Sequence, residues 1–432
     1  MISSELTSEN GHLMIGGVDS VELASKYQTP LVVYDVEEIR KQIQLFKNSF
    51  EDSGLKYQVS YASKAFATIA MYQVLKQENV HTDVVSGGEL YTALKAGFPA
   101  DKISFHGNNK SQQELEMAVD NNIGVIILDN FYEIDLLEQV LEDKDSTVNV
   151  MLRLTPGISA HTHKYDQTGQ VDSKFGFDVG SGQASKALKK VLANKRMNLI
   201  GIHAHIGSQI FGIEGFVMLV KKMFEISANW KKEFDYLPQV INLGGGFGIT
   251  YNDQDEAIGP DIFIKNIAET VKQQSSDKDM PIPEIWIEPG RSIVGPAGFS
   301  LYTIGSRKDV PGLTSYVNVD GGMGDNIRPA LYQAKYEAVV ANKMDEALKE
   351  DVHISGKYCE SGDILIDHQK LPETKSGDIL AVLDAGAYGY SMASNYNRNP
   401  RPAVVFAENG KDKLVVERES YDDLIKLDRD YI

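Results

Sequence analysis

The strongest constraint on the fold is a pattern that recurs from about residue 58 to residue 290 of this 432-residue chain. Each repeat begins with a short β-branched run that ends in polar residues or glycine, and an amphipathic helical stretch follows. Eight such runs occur, at residues 58–65, 81–86, 103–107, 125–130, 148–156, 200–207, 240–247 and 285–290. Strands that alternate with helices predict parallel βα units. Eight units in about 230 residues favour a (β/α)8 barrel, for which about 250 residues are typical, over a doubly wound open sheet.

The pattern changes after the eighth run, where short β-rich runs follow one another with turns between them. The pair Asn409-Gly410 lies between two such runs and is typical of a β-hairpin turn. We therefore predict an α/β protein with a barrel at residues 36–294 and an all-β domain, of barrel or sandwich type, at residues 295–432. Because the β-rich run 29–35 precedes the barrel, residues 1–35 are expected to contribute a strand to the β domain.

The formal net charge of −18 argues against several classes of partner. Nucleic acid and acidic membrane surfaces would be repelled by this charge, and no run of lysine and arginine offsets it. No uninterrupted apolar stretch reaches the roughly 20 residues of a membrane span. Residues 1–20 lack the basic start and apolar stretch of a signal peptide. We therefore expect a cytoplasmic protein with no nucleic-acid or membrane partner.

Cys359 is the only cysteine in the sequence. One thiol can form neither an intrachain disulfide nor a cysteine-based metal site, and it fits a reducing compartment. A lone cysteine is more often an inert core residue than a catalyst. Its position alone leaves both interpretations open.

Chemistry in a barrel of this kind is expected at the carboxyl ends of the strands. The polar residues at those ends are Lys64, Asp83, His106, Asp129, Arg153, His205, Gly244–Gly248, Glu288 and Arg291. Residues 161–178 lie between the fifth and sixth runs and are rich in polar residues and turn formers. They could form an active-site lid or an ordinary solvated loop.

Lys64 ends the first run, so its amine would point into the mouth of the barrel. Partial burial lowers the proton affinity of a lysine and makes its amine nucleophilic enough to form a Schiff base. A snorkelling or salt-bridged lysine is the alternative for this residue taken alone.

The glycine-rich run Gly244–Gly248 follows a predicted strand. Glycines at such a turn let backbone N–H groups approach a phosphate, although tight turns need glycine as well. The run lacks the acidic residue of dinucleotide sites and the Lys-Ser/Thr of a nucleotide P-loop. A small phosphorylated cofactor therefore fits it better than a nucleotide.

Two further features have a functional and a structural interpretation. Glu288 could hold a heterocyclic nitrogen in its protonated form, or it could form an ion pair with Arg291 that closes the barrel. His203 and His205 are two apart in a strand-like run and should face the same way. A metal site would need a third ligand, which no sequence spacing supplies, so we predict no metal. An imidazole that faces a cofactor ring is the competing role.

Taken together, these residues resemble the pyridoxal phosphate-dependent decarboxylases with an alanine-racemase-like barrel, and within them the diaminopimelate decarboxylases. Six motifs occur in family order: YASKA (61–65), HAHIGSQ (203–209), GGGFG (244–248), EPGRS (288–292), CESGD (359–363) and DAGAYG (384–389). The CESGD motif, with SKFG (173–176) and NPRP (399–402), favours that branch. The resemblance covers about residues 30–405, and no motif position departs from the family pattern.

The resemblance implies roles for individual residues in an enzyme that uses pyridoxal 5′-phosphate. Lys64 would carry the cofactor, His205 would stack on its pyridine ring, and Glu288 would bond the pyridine nitrogen. Further contacts with the cofactor are implied for Asp83, Ser208, Gly246, Gly248, Pro289, Gly290, Arg291 and Tyr388. Cys359 would be the proton donor, placed in the opposite subunit's site across a homodimer interface. The residues implied to hold the substrate are Arg291, Arg328, Tyr332, Glu360 and Tyr388.

The activity that the resemblance implies is decarboxylation of meso-diaminopimelate to L-lysine, the last step of lysine biosynthesis. Two arginines can grip the distal carboxylate of this substrate by charge-assisted hydrogen bonds, and Glu360 can pair with its ammonium. The main alternative is a related decarboxylase of another basic amino acid or of carboxynorspermidine. A racemase of this fold would place a basic group, not a glutamate, at the pyridine nitrogen. A cofactor-binding protein without turnover should have lost Lys64 or Cys359.

Overall fold

The computed structural model describes residues 6–158 and 173–432. The chain divides into two compact units, which we call the barrel unit and the sheet unit. The barrel unit comprises Gln42–Gly248 and Ala257–Gly290, and the sheet unit comprises Met1–Lys41, Ile249–Glu256 and Arg291–Ile432. The short segment Ile249–Glu256 therefore belongs with the sheet unit, although it lies within the range predicted for the barrel.

The barrel unit contains eight parallel strands that close on themselves. Their bounds are Tyr57–Ala62, His81–Val84, Ile103–Phe105, Val125–Leu128, Val148–Thr155, Met197–His203, Val240–Asn242 and Glu284–Ile287. Each strand pairs with the next along the chain, and the eighth pairs with the first. A two-residue strand, Phe177–Asp178, extends the sheet beside the fifth strand. The predicted (β/α)8 barrel is confirmed.

The helices of the barrel unit alternate with these strands. Their bounds are Val36–Ser53, which begins in the sheet unit, and Ile69–Gln77, Gly87–Lys95, Gln112–Asp120, Phe131–Asp143, Gln183–Ala193, Glu214–Phe234 and Pro260–Asp277, with 3₁₀ turns at Ser63–Ala65 and Ala100–Lys102. Four helices begin at a side chain that accepts the backbone N–H three residues later: Thr68, Ser86, Ser111 and Asn130. Each such cap stabilises a helix start by about 1 kcal/mol and so fixes where the preceding loop ends.

The sheet unit contains a small three-stranded sheet and a large mixed sheet. Its strands are Thr7–Glu9, His12–Ile15, Val18–Asp19, Leu31–Asp35, Gly298–Lys308, Ser315–Val319, Ala338–Val340, Glu350–Ser355, Ile364–Leu371, Ile379–Val382, Ala403–Glu408 and Lys411–Val416. Leu31–Asp35 lies between Gly298–Lys308, to which it is antiparallel, and Ala403–Glu408, to which it is parallel. The chain before the barrel thus supplies an internal strand of the large sheet.

The sheet unit also contains short helices and two apolar clusters. The helices are Ser20–Tyr27, Arg291–Val294, Arg328–Tyr332 and Tyr421–Ile425, with 3₁₀ turns at Tyr390–Met392 and Tyr396–Arg398. One cluster includes Val317, Val352 and Ile354, and the other includes Leu31 and Val405. Removal of these side chains from water is the main force that holds the strands together. Among the described residues, no helix is long and apolar enough to cross a bilayer.

The buried Asp325 of the sheet unit makes the stability of the fold depend on pH. It is 4% exposed and accepts the Gly322 N–H at 3.0 Å. Burial raises the pKa of Asp325 from 3.8 to about 7. Because the folded carboxyl binds its proton more tightly than the unfolded one, this group destabilises the fold increasingly as pH rises through that interval.

We expect Asp325→Asn to raise the melting temperature more at about pH 8 than at about pH 5, by at least ~2 °C, since the amide never ionises. Thermal unfolding of both proteins at the two pH values measures the difference. A shift of the same size at both values would contradict the raised pKa.

Candidate active site

Lys64 lies just beyond the carboxyl end of the first barrel strand, Tyr57–Ala62. The 3₁₀ turn that carries it leaves its side chain exposed, while Ser63 and Ala65 on either side are buried. The backbone is therefore held firmly while the amine remains accessible. That combination is what a lysine needs in order to bond to a cofactor aldehyde.

The chain that follows the last barrel strand packs against the same strand end. The Pro289 carbonyl accepts the Ala62 N–H at 3.1 Å. A side chain on Gly290 would bring its Cβ within 2.8 Å of Ala62 Cβ, so glycine permits the close approach. The segment next to Glu288 and the turn of Lys64 are thereby joined at one place in the barrel mouth.

Glu288 is the centre of a buried group of side chains that we call the Glu288 cluster: Glu288, His106, His203 and Asn242. Asn242 Nδ2 donates to Glu288 Oε1 at 2.7 Å, and His203 Nε2 is hydrogen-bonded to Oε2 at 3.1 Å. His106 Nε2 lies 2.9 Å from Oε1. Burial would by itself raise the pKa of Glu288, but His106 and His203 hold it well below its ordinary value. The barrel mouth therefore presents a fixed, ionised carboxylate.

A metal site is another interpretation of part of this cluster, because His106, His203 and Glu288 lie close together. One ligand atom from each lies within 4.8 Å of the others. Sequence spacing did not supply this third ligand for His203, because Glu288 is 85 residues away along the chain. The Asn242 amide nitrogen, however, donates to the same carboxylate, and a donor does not bind a metal. We interpret the cluster as hydrogen-bond donors arranged around one anion.

Asp83 lies beneath the lysine turn, and its Oδ1 accepts the Ser63 N–H at 3.2 Å. Burial raises the pKa of Asp83 well above its ordinary value, the charge on Glu288 raises it further, and the charge on Lys64 opposes both. Asp83 therefore favours its protonated form next to the ionised Glu288. Two carboxyl groups at the carboxyl ends of the second and eighth strands are in this way held in different charge states.

His205 lies two residues beyond the end of its strand, which the structure places at His203. The Gly245 N–H donates to His205 Nδ1 at 3.2 Å. Burial lowers the pKa of His205 well below its ordinary value, and the positive charges of Lys64 and Arg153 lower it further. Its ring is therefore neutral, as suits a side chain that stacks on a cofactor.

The glycine-rich run follows the strand Val240–Asn242 in a tightly packed turn. A side chain on Gly245 would place Cβ 2.1 Å from the Glu288 carbonyl oxygen, and one on Gly246 would place it 2.3 Å from the Gly207 carbonyl oxygen. Gly246 also has a φ of 109°, which favours glycine. Only glycine fits, so the backbone of this run can come close to a ligand.

Two residues predicted to hold the cofactor phosphate lie near this run. The Gly248 N–H donates to the Ile210 carbonyl at 3.1 Å, so its amide is used within the protein. A phosphate role for Gly248 would depend on its small size, because a Cβ there would meet Phe211 at 2.9 Å. Ser208 is half-buried in the loop after the sixth strand.

Residues 173–178 of the predicted loop 161–178 are attached to the barrel mouth, while residues 161–172 lie outside the described residues. The Arg153 guanidinium carbon lies 4.3 Å from the centre of the Phe175 ring. The Gly176 N–H donates to Asp129 Oδ1 at 3.0 Å. The carboxyl end of the loop is thus attached to Asp129, which follows the fourth strand, and to Arg153 near the end of the fifth.

The sheet unit contains two buried arginines, Arg291 and Arg328, that meet at one phenol oxygen; we call them the arginine pair. Tyr251 Oη accepts hydrogen bonds from Arg291 Nη1 at 2.7 Å and from Arg328 Nη1 at 3.0 Å. Arg328 Nη1 also donates to Tyr336 Oη at 2.6 Å. Burial would lower the pKa of Arg328, but the two tyrosines raise it above its ordinary value. The two guanidinium groups are therefore held at one phenol oxygen.

Tyr388 completes this group. Its ring centre lies 4.9 Å from the Arg291 guanidinium carbon and 5.9 Å from that of Arg328. Its φ is 65°, in the left-handed region that a bulky residue seldom adopts. Such backbone strain is found where the surrounding structure must hold a side chain in one place.

Three other predicted site residues belong to the sheet unit but take no part in the contacts described for the arginine pair: Tyr332, Cys359 and Glu360. Tyr332 is half-buried at the end of a short helix, and Glu360 is exposed. Cys359 is also exposed, which contradicts its interpretation as an inert core residue. Its backbone N–H donates to Asn397 Oδ1 at 2.8 Å, which holds the chain in place while the thiol is open to solvent.

Comparisons with known proteins agree with this chemistry. A family model for the pyridoxal-dependent decarboxylases, pyridoxal binding domain, matches residues 36–295. The chain is 57% identical to the diaminopimelate decarboxylase of Bacillus subtilis (strain 168), over 98% of this chain and 96% of that one. It is 59% identical to that of Bacillus methanolicus, over 95% of each chain. The crystal structure of the M. jannaschii diaminopimelate decarboxylase in complex with L-lysine superposes with a TM-score of 0.93 at 36% identity, and covers 99% of both chains.

The chain belongs to the diaminopimelate decarboxylase family. Its cofactor is pyridoxal phosphate, and the barrel mouth fits that molecule. The lysine amine is accessible to the aldehyde, the ionised Glu288 suits the pyridine nitrogen, and the glycine-rich run has no room for side chains where a phosphate would approach. The resemblance to this family was correctly inferred from the motifs.

Three residues that contact the candidate site residues were not found from the sequence: Asn242, Tyr251 and Tyr336. Asn242 carried a usable signal, because it is a polar residue within a predicted run, two residues before the glycine run. Tyr251 and Tyr336 carried no such signal. Both contact Arg328, from 77 and 8 residues away along the chain respectively, and no strand or helix pattern relates these positions.

Proposed function

We propose that this protein converts meso-diaminopimelate into L-lysine and carbon dioxide, and that it does so as a homodimer in the cytoplasm. The observation that carries the choice of substrate is the arginine pair joined at Tyr251. Two buried cations that share a neutral acceptor favour an anionic ligand, and diaminopimelate has a second carboxylate that simple basic amino acids lack. The names of the relatives, and the L-lysine bound to one of them, support the same substrate.

Each residue of the barrel mouth has a distinct part in this reaction. Pyridoxal phosphate, when bound, accepts the electrons that the departing carboxylate leaves behind. Lys64 holds the cofactor, and the ionised Glu288 keeps the pyridine nitrogen protonated because an adjacent anion favours the charged form. His205 lies against the ring. The further residues that we propose as cofactor contacts are Asp83, Ser208, Gly246, Gly248, Pro289, Gly290, Arg291 and Tyr388.

The distal end of the substrate is recognised by residues of the sheet unit. Arg291 and Arg328 bind the distal carboxylate, and Glu360 pairs with the distal ammonium. Tyr332 and Tyr388 complete the substrate site. Ornithine has no distal carboxylate, so it cannot accept the charge-assisted hydrogen bonds that Arg291 and Arg328 offer to that group, and a site built for a charged group rejects such analogues strongly.

Arg328→Leu tests this recognition. The parent protein should prefer meso-diaminopimelate to ornithine by on the order of 10⁴-fold in kcat/KM. The variant should lose about 10- to 100-fold of that preference, because a charge-assisted hydrogen bond contributes about 1.5–3 kcal/mol. Release of carbon dioxide from each amino acid measures both numbers. An unchanged preference in the variant, or a parent that prefers ornithine, would overturn the proposed substrate.

Tyr251→Phe should raise KM for meso-diaminopimelate about 10-fold with a smaller change in kcat. The substitution removes the acceptor that the two guanidinium groups share, so they repel each other and lose their fixed orientation. Steady-state kinetics measure the two constants separately. Tyr302→Phe is a matched control, since it removes the hydroxyl of another buried tyrosine of the same unit. If both variants behave like the parent, Tyr251 does not position the arginine pair.

The homodimer is proposed because Cys359 is exposed and is expected to give its proton in the opposite subunit's site. A thiol that must stay reduced also fits the cytoplasm. Mixing the inactive variants Lys64→Ala and Cys359→Ala under conditions of subunit exchange should restore about a quarter of the parent activity, because half of the dimers then contain one intact site. No recovery despite proven exchange would show that each site is built from one chain.

A further inference from the structure

The Glu288 cluster contains a histidine to which the proposed chemistry gives no role. His203 is 1% exposed, and its ring meets that of His106 edge-on with 4.9 Å between the ring centres. Its Nε2 atom is hydrogen-bonded to Glu288 Oε2 at 3.1 Å. Its Nδ1 atom is buried and has no hydrogen-bond partner among the residues that the structure describes. The two nitrogens of one ring therefore face different surroundings.

These surroundings decide which nitrogen carries the proton. A proton on Nδ1 would leave a buried N–H without an acceptor, and it would also turn the lone pair of Nε2 toward a carboxylate oxygen. A proton on Nε2 avoids both costs, because it is donated to Glu288. A doubly protonated ring would again bury an unpaired N–H. Burial lowers the pKa of His203 to about 4, although Glu288 opposes this, so the ring is neutral near neutral pH.

We propose that His203 is a positioning residue for the cofactor: it is a neutral imidazole with its proton on Nε2, and it donates to Glu288 and thereby fixes the carboxylate for the pyridine nitrogen. Asn242 donates to the other carboxylate oxygen. With a donor on each oxygen, the carboxylate cannot rotate without losing a hydrogen bond, and both bonds favour its ionised form. This inference rests on the role of Glu288 in the proposed function.

His106 provides an internal comparison, because it touches the same carboxylate without a good hydrogen bond. Its Nε2 lies 2.9 Å from Glu288 Oε1 but outside hydrogen-bond geometry. Burial lowers the pKa of His106 too, so this ring is also favoured in its neutral form. Because His106 also lowers the pKa of Glu288, its replacement should weaken cofactor binding as well, but by less than replacement of the aligned donor His203.

Titration of the cofactor-free protein with pyridoxal phosphate tests the proposal without any substrate. His203→Leu removes the donor and should weaken cofactor binding by about 10- to 100-fold. Binding is measured by the absorption of the lysine-bound cofactor. His203→Gln keeps an N–H in a similar place and should bind within about 3-fold of the parent. In the leucine variant, binding should also fail at a higher pH as the solution is acidified, because Glu288 has lost a donor that favours its ionised form. The charged and titratable groups that face His203 are Glu288, His106, Arg153 and His205.

The proposal is overturned if His203→Leu binds the cofactor like the parent with the same dependence on pH. It is also overturned if His203→Gln is as weak as His203→Leu, since the role would then be one of packing. Should the leucine variant fail to fold, ¹⁵N NMR of the parent with labelled histidine decides, with the His203 signal assigned by its loss in His203→Gln. A protonated Nε2 and a bare Nδ1 are expected, and the reverse would refute the proposal. Because no substrate is present, failure to decarboxylate diaminopimelate would leave these results unaffected.

Discussion

Lys64→Ala is expected to abolish both the absorption band of lysine-bound pyridoxal phosphate and all measurable release of carbon dioxide. The side chain is exposed at the carboxyl end of the first barrel strand, so its loss should not disturb the core. Alanine has no amine with which to bond the cofactor aldehyde, and nothing else in the turn between two buried neighbours can replace it. Absorption spectra and a carbon dioxide assay on the same preparations measure both losses.

Lys56→Ala is a matched control for this variant. Lys56 is also an exposed lysine, but it precedes the same strand, at the opposite end of the barrel from the proposed site. It should keep the cofactor band and the parent rate. Normal turnover in Lys64→Ala would show that the cofactor is attached elsewhere, and a folded parent protein without any cofactor band would have the same consequence.

Cys359→Ala is expected to keep the cofactor band and to lose about 10²- to 10⁴-fold in kcat, the usual contribution of a positioned proton donor. The carbanion left after loss of carbon dioxide must receive a proton, and a thiol can give one. Because the side chain is exposed, its truncation should leave the thermal stability of the fold within about 0.5 kcal/mol of the parent.

The neighbouring Ser361→Ala controls for local changes in the same exposed loop. It should retain the parent kcat, because its hydroxyl donates to the Glu360 carboxylate, which is proposed to bind the substrate and not to give the proton. Full activity in Cys359→Ala would remove the proton-donor role and, with it, the main reason for placing the site across two subunits.

The barrel was predictable because its signal is local and repeated. Each of the eight runs predicted from β-branched residues contains or overlaps an observed strand, although the glycine-rich ends, such as residues 243–247, belong to the loops that follow. The hairpin at Asn409-Gly410 was equally local: both residues have positive φ, and the strands on either side pair in antiparallel register. Backbone preference alone fixes such a turn.

The strands of the sheet unit and their order were harder to predict, because strand pairing there depends on contacts between segments that are distant in the sequence. Glu350–Ser355 mixes polar and apolar residues, which gives a weak strand signal, yet it pairs with strands on both sides. The segment Ile249–Glu256 follows the glycine run in the sequence but belongs with the sheet unit. No local pattern marks that change, which is why Tyr251 went unnoticed as the partner of the arginine pair.

Within the candidate site, sequence motifs located the residues but not their relations to one another. His203 was considered beside His205 because of their spacing, whereas the structure pairs His203 with Glu288 across the barrel. The protonated state favoured for Asp83 and the ionised state of Glu288 likewise come from burial and neighbouring charges, which only the closed barrel creates.

The most direct test of the central claim is product analysis of the cofactor-loaded protein supplied with meso-diaminopimelate as its only substrate. We predict that carbon dioxide and L-lysine appear in equal amounts, and that ornithine, L-lysine and carboxynorspermidine in parallel reactions release far less carbon dioxide. Faster release from any of those three, or consumption of diaminopimelate without formation of lysine, would contradict the proposed function.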